Sequence, residues 1–396
     1  QIDAEGLLGA CGELSKDAGL TIRTVLEPLG GPGVPVKPAV YAGGRYQLDR
    51  RWDHRCEPPE PVDVVVVDNV PSQANRLEAA LERLRPHIGL PEMVLDLSSV
   101  GVLPPHLPER LSSFRFPHRQ ADAYLRDAVL DGTPFPKTEI GRSLLAATAD
   151  EPESLFEWFP QALVFGFWQS HLGKKGSQAK LARSWVSEVV GYRPASVETR
   201  AHGLKGDPLN LSVDEPVEFD PDDPTDWALL EGGKKAGTGK AKERLSELGH
   251  GQVPVPESRE PLAGVSFARI EQRSTVSFAA LRRIWAGSEE VSAPARALLV
   301  AIGIAAHVTA FGRSFSLRSG CELRPCIATW SWLGENGDEE VEAPTIDEAI
   351  ELVRECASRS ESAGLPVGSR WPSEALRLEP AGNLAKAIRS TWAIEA

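Results

Sequence analysis

Gln161 to Arg193 reads QALVFGFWQSHLGKKGSQAKLARSWVSEVVGYR, and the fold turns on how this stretch is divided. Leu163-Val164-Phe165-Gly166-Phe167-Trp168 is apolar and rich in aromatic and β-branched residues, which predicts a buried strand. Gly173-Lys174-Lys175-Gly176-Ser177 then supplies flexible backbone, two ammonium groups and a serine placed to cap a helix. From Gln178 the apolar residues Leu181, Trp185, Val186, Val189 and Val190 recur at helical spacing, and Gly191 and Pro194 close the segment. A strand, a Gly-Lys loop and a helix N-terminus would aim N–H groups, a helix dipole and nearby cations at one spot, which suits phosphate oxygens. The loop is no nucleotide-hydrolysing P-loop, because no Gly-Lys-Ser/Thr stands in it, and Gly239-Lys240 is followed by Ala241. A solvated Lys-rich turn is the other reading of the same residues.

Working outward, Val62 to Val67 is a nearly all-valine run that predicts a buried strand. Asp68-Asn69-Val70-Pro71-Ser72-Gln73-Ala74-Asn75-Arg76 turns it into a helix with Leu77, Ala80, Leu81 and Leu84 inward and Pro86 as its stop. Both expected helices begin Ser-Gln-Ala, at Ser72 and at Ser177. Two such units fit a split β-α-β layout, ferredoxin-like or RRM-like, in which a sheet face and its loops bind single-stranded nucleic acid. The expected fold class is therefore α+β.

The remaining chain fills this out. A helix is expected around Ala4 to Lys16 and a strand around Thr21 to Leu26. Tyr41 to Gln47 and Arg50-Arg51-Trp52 interleave arginines with aromatics, a composition that stacks on bases and pairs with phosphates, or simply builds a surface strand. Phe135 and Lys137 lie in a proline-rich loop before a helix capped by Thr138, where they either touch a ligand or stiffen the surface. Residues 200–261 have little apolar periodicity, which marks a long functional excursion or a disordered one. Val276 to Ala286 and Pro294 to Thr309 read as helices, and Phe315 to Arg324 alternates as a half-buried strand with Arg318, Glu322 and Arg324 on its open face. The tail offers a capping box, Thr345 with Glu348, and a last helix from Asn383.

Composition sets the class. The chain has 396 residues, 41% of them hydrophobic, enough for a large packed core. Ala297 to Phe311 is the longest apolar run and is too short to span a bilayer, so no membrane partner is expected. The chain start lacks a signal-peptide layout, and five scattered cysteines without a Cys-x-x-Cys pair suit a reducing cytoplasm and argue against zinc. The formal charge of −13 is unevenly spread: residues 161–205 carry net +5, residues 206–231 hold nine acids and no base, and residues 335–396 carry net −7. A basic tract between acidic ones can hold a polyanion on one face and leave the others solvated.

Four stretches together carry a family resemblance: Tyr41 to Gln47, Val66 to Arg76, Phe165 to Gly173 through Trp185, and Phe311-Gly312-Arg313-Ser314-Phe315-Ser316-Leu317-Arg318-Ser319-Gly320. In this order they resemble the backbone subunit of type I-G (formerly I-U) CRISPR Cascade complexes, of the RAMP superfamily. The resemblance spans roughly Tyr41 to Leu333. It implies a modified RRM core with large insertions, one of them a thumb that separates blocks of guide bases. It also implies a subunit that polymerises head-to-tail along CRISPR RNA and presents it to target DNA, beside a large subunit and a guide-capping or processing subunit. No catalytic residue, cofactor or metal is implied.

The expected organisation is a core over residues 1–334, with insertions at about 86–160 and about 200–262, the latter the candidate thumb, and an acidic, mainly helical extension over 335–396. Backbone-directed RNA contact is expected from His171, Gly173, Lys174, Lys175, Ser177, Gln178, Lys180 and Arg183 on one unit. Ser72, Gln73, Asn75 and Arg76 would serve the other, with Arg45, Lys137, Arg313 and Arg318 adding charge. The rival class is an RNA-cleaving enzyme, with His171 as acid/base or Asp68 supporting in-line attack.

Overall fold

The valines of residues 62–67 form a strand, as β-branched side chains favour, and Asp68, Asn69 and Pro71 turn it into a helix. The computed structural model describes residues 2–42, 44–101, 103, 107–169, 179–197, 209, 211, 215–221, 223, 225–230, 236–250 and 264–392, the last two of these by backbone alone. Residues 1–39, 47–195 and 266–394 form one unit, and residues 40–46 with 196–265 belong to a second.

The first unit is built from α1 (Ala4–Cys11), β1 (Gly19–Pro28), β2 (Arg45–Asp53, without its first two residues), β3 (Glu60–Asp68), α2 (Val70–Ile88), β4 (Trp185–Pro194), β5 (Phe267–Ser277), α3 (Glu289–Phe311), β6 (Phe315–Arg318), β7 (Cys321–Gly334), β8 (Gly337–Val341) and α4 (Ile346–Ser362). The main sheet runs β6-β7-β1-β5-β4-β3-β2, all neighbours antiparallel, with β8 paired to the far end of β7. Its centre, β7-β1-β5-β4, has the fourth-first-third-second order of a split β-α-β fold, α2 joining the first two strands and α3 the last two. The fold is α+β and RRM-like, with insertions.

Strand alternation decides the two faces. Leu20 and Ile22 of β1, Trp185 of β4, Val276 of β5 and Trp330 of β7 pack with Ala74, Leu77 and Leu81 of α2 and with the apolar body of α3. α3 is longer than its apolar run, at 23 residues, and its most apolar window is 89% buried. Gly303 admits the Trp185 ring against that helix: a Cβ there would stand 2.4 Å from Trp185 Cε3. Trp185, Trp330 and Phe311 enclose His307, whose pKa burial lowers to about 3.

A second sheet of the same unit pairs Met93–Asp96 in parallel with Leu376–Pro380, so the tail is woven into the segment after α2. The tail also adds β8 to the main sheet, and α4 carries the expected capping box, with Glu348 N donating to Thr345 Oγ1 at 3.2 Å and Thr345 N to Glu348 Oε2 at 2.8 Å. In the second unit, Pro216–Phe219 pairs with Trp227–Leu229 on one side and Ala241–Arg244 on the other, over buried Val217, Leu230 and Leu245.

Several expected elements change type. Leu163 to Trp168 is not one strand: Pro160–Phe165 is helical, and Phe167–Gln169 begins a hairpin. No helix runs from 178, because Ala179–Leu181 is the hairpin's second strand and Trp185–Pro194 is β4. Trp185 and Val189 are four apart, which satisfies a period of two as well as one of 3.6. Val276 to Ala286 is likewise the end of β5 and a short helix, Phe278–Leu281. Pro86 does not stop α2, which reaches Ile88 and ends at left-handed Gly89.

Candidate nucleic-acid interface

The hairpin after Pro160–Phe165 begins at Gly166, whose φ of +75° and close approach to Leu181 O, 2.7 Å from where a Cβ would sit, leave room only for glycine. Phe167 and Gln169 then point inward and Trp168 outward, 58% exposed. Register sets Lys180 opposite Trp168, with Nζ 5.9 Å from the ring centroid. These two residues and exposed Arg183 open onto a cleft of ≈ 780 Å³, which His118, Arg119 and Phe165 also line.

Arg119 fixes the floor. It is buried with φ +56°, donates Nε and Nη2 to Glu78 at 2.7 and 2.8 Å, and donates Nη1 to Gly166 O at 2.9 Å. Burial pushes the Glu78 carboxyl up, and Arg119 opposes that rise. The cleft thus presents an indole face, an ammonium and a guanidinium at its mouth, a combination that stacks on a base and neutralises phosphates.

A second cluster forms at the β3–α2 turn. Asp68 is fully buried and accepts from Ser72 Oγ at 2.9 Å, Gln73 Nε2 at 2.6 Å, Arg76 Nε at 2.9 Å and Arg318 Nη2 at 2.6 Å. Arg76 also donates to Leu317 O at 2.7 Å, and Arg318 to Lys37 O at 3.1 Å and Val67 O at 3.0 Å. The α2 cap is Asn69, whose Oδ1 accepts from Ser72 N at 3.2 Å. This carboxylate ties β3, α2 and β6 together.

The structure therefore brings Ser72, Gln73, Arg76 and Arg318 to one buried carboxylate, and Lys180 and Arg183 to the cleft. Asn75, Lys137 and Arg313 are exposed apart from them, and Arg45 is exposed in the second unit. His171, Gly173, Lys174, Lys175, Ser177 and Gln178 lie outside the described residues. The helix dipole expected there is withdrawn, since a strand follows at Ala179. Sequence reasoning missed Trp168 as a cleft wall, because it read the whole run as buried; the signal was the alternation Phe167-Trp168-Gln169. It also missed the arginines of β1 and β5 on the sheet face away from the helices. Among the described residues no group of three His, Cys, Asp or Glu could hold a metal ion.

Residues 20–195 match the family model described as CRISPR-associated protein GSU0053, and the match indicates a CRISPR-associated protein family. The matched stretch runs from β1 to the end of β4, so it contains the cleft and Asp68. No curated protein matches the chain.

Proposed function

We propose that this chain is an RNA-binding backbone subunit of a CRISPR effector of the type I-G Cascade kind, without catalysis of its own. The observation that carries this reading is the cleft in which exposed Trp168, Lys180 and Arg183 meet. Stacking on one base and contact with its phosphates are independent of sequence, as a subunit repeated along variable guides requires. Copies of the chain assemble head-to-tail along the guide, which then pairs with target DNA, and the other Cascade subunits close the ends. Five thiols, none of them in a disulfide, fit work in the cytoplasm. In this reading Asp68 is an anchor, its carboxylate already engaged by four donors.

Binding of two unrelated labelled RNAs over a salt series tests it. Lys180→Gln with Arg183→Gln should flatten the slope of log affinity against log salt by about 1.4, two single-strand phosphates at about 0.7 each. Trp168→Ala should weaken both RNAs alike, by about 1–3 kcal/mol. Loss confined to one RNA, or no loss with either, would sink the reading.

A further inference from the structure

Opposite the helices, the main sheet presents a row of charge. β1 and β5 place Arg23 directly across from Arg273, a like-charge cross-strand pair that costs stability unless something answers it. Part of the answer is Glu271, one position diagonal, whose carboxylate is fully buried. Four guanidiniums converge on it: Arg23 Nη2 at 2.7 Å, Arg55 Nη2 at 2.7 Å, Arg269 Nε at 2.9 Å and Arg273 Nη2 at 3.1 Å. Arg269 also reaches Asp53 at 3.0 Å. With Arg193, 3.9 Å from Asp53 and paired to Glu60, and with Arg51, paired to Asp49 and to Glu188 opposite Arg273, six guanidiniums face five carboxylates and leave a surplus of one positive charge. Burial alone would raise the Glu271 carboxyl, yet Arg23, Arg269 and Arg55 hold it below the usual range. Burial and the neighbouring Arg23 and Arg269 lower the Arg55 pKa, as crowding of like charges does.

The surplus is accessible. The side chains of Arg23, Arg55 and Arg273 are 42%, 42% and 51% exposed, and Arg23 Nε is buried without a hydrogen-bond partner. Tyr192, the aromatic beneath, is buried under Arg269 with the guanidinium 4.1 Å from its ring, so it offers no stacking surface.

We infer that this sheet face is a second nucleic-acid site, which grips backbone phosphates with the forks of Arg23, Arg55 and Arg273 and stacks no base. It extends the proposed function and rests on that reading. Guanidinium forks match phosphate oxygens bidentately, and a phosphodiester supplies the negative charge that these carboxylates leave unmet.

Anisotropy of a fluorescein-labelled oligouridylate over a salt series is the test. Arg55→Gln with Arg273→Gln should flatten the salt slope by about 1.4. Arg55→Lys with Arg273→Lys should keep the slope, with circular dichroism confirming the fold of each. Glu271→Gln removes a competing anion, so oligouridylate should raise its melting temperature more than that of wild type. An unchanged slope in the double Gln variant, while the Lys180 and Arg183 variant loses slope, overturns this inference and leaves the cleft reading intact. Loss in neither variant overturns both. Equal stabilisation of the Glu271→Gln variant by inorganic phosphate, or loss only of binding to a labelled polyglutamate peptide, would mean a small-anion or protein site and would also overturn it.

Discussion

Replacing Asp68 by Ala separates a structural anchor from a catalytic acid. The carboxylate is fully buried and receives four donors, two of them guanidiniums that are 27% and 24% exposed. Removing it strips two partly buried cations of their counter-ion and leaves the Gln73 amide without its 2.6 Å acceptor. Breaking a buried pair from one side costs about 3–5 kcal/mol. The Arg76 and Arg318 bonds to Leu317 O, Lys37 O and Val67 O survive, so a figure near 3 is expected. Against a total stability of about 5–15 kcal/mol, this is a large fraction. Urea unfolding followed by tryptophan fluorescence reads it as a drop in midpoint at constant slope. Labelled RNA incubated with the variant should stay as intact as with wild type. Stability within about 0.5 kcal/mol of wild type, together with loss of an RNA cleavage that wild type performs, would refute the anchor argument and make Asp68 a catalytic group.

Two further outcomes follow from the core. His307, held near pKa 3 when folded and near 6.5 when unfolded, leaves the unfolded state binding more protons between those values. Its contribution is therefore full above about pH 6.5 and falls by about 1.4 kcal/mol for each pH unit below. Between about pH 6.5 and 5, wild type should lose about 2 kcal/mol more than His307→Phe, and parallel unfolding profiles would contradict this. Gly303→Ala should destabilise by about 1–3 kcal/mol in thermal unfolding, because its Cβ meets the Trp185 ring and overpacking outweighs the gain in helix propensity. A variant more stable than wild type would show that the ring moves aside freely.

Local chemistry made part of the fold legible. The valine run, the Asn-Pro turn and the Leu77, Leu81, Leu84 spacing are nearest-neighbour signals, and β3 and α2 stand where they point. The RRM-like layout is present, yet its halves are β1-α2-β4 and β5-α3-β7, where the sequence pointed to the strand-turn-helix units at Val62 and Leu163. Strand pairing depends on partners far along the chain, so periodicity alone could not choose among them. The helix Pro160–Phe165 is buried on every side and carries no amphipathic stripe to read. Asp68 reads locally as a turn residue; its anchoring role needs Arg318, 250 positions away. Of the candidate site, Lys180 and Arg183 were visible as charge, while Trp168 needed the hairpin register and Arg119 the fold itself.

The central position of β1 has a consequence for biosynthesis. Emerging well before its neighbours, it can pair only with β5 and β7, and its Arg23 meets Glu271 248 positions later. At about 5–20 residues per second, a ribosome needs roughly 12–50 s to deliver that partner. Throughout that interval Leu20, Ile22 and Leu26 have no sheet to complete, and the nascent chain depends on chaperones or on transient collapse to keep them from water and from other chains. A messenger truncated before β5 would yield a product whose first strand lacks a neighbour on either side, so proteolysis of such fragments should be rapid.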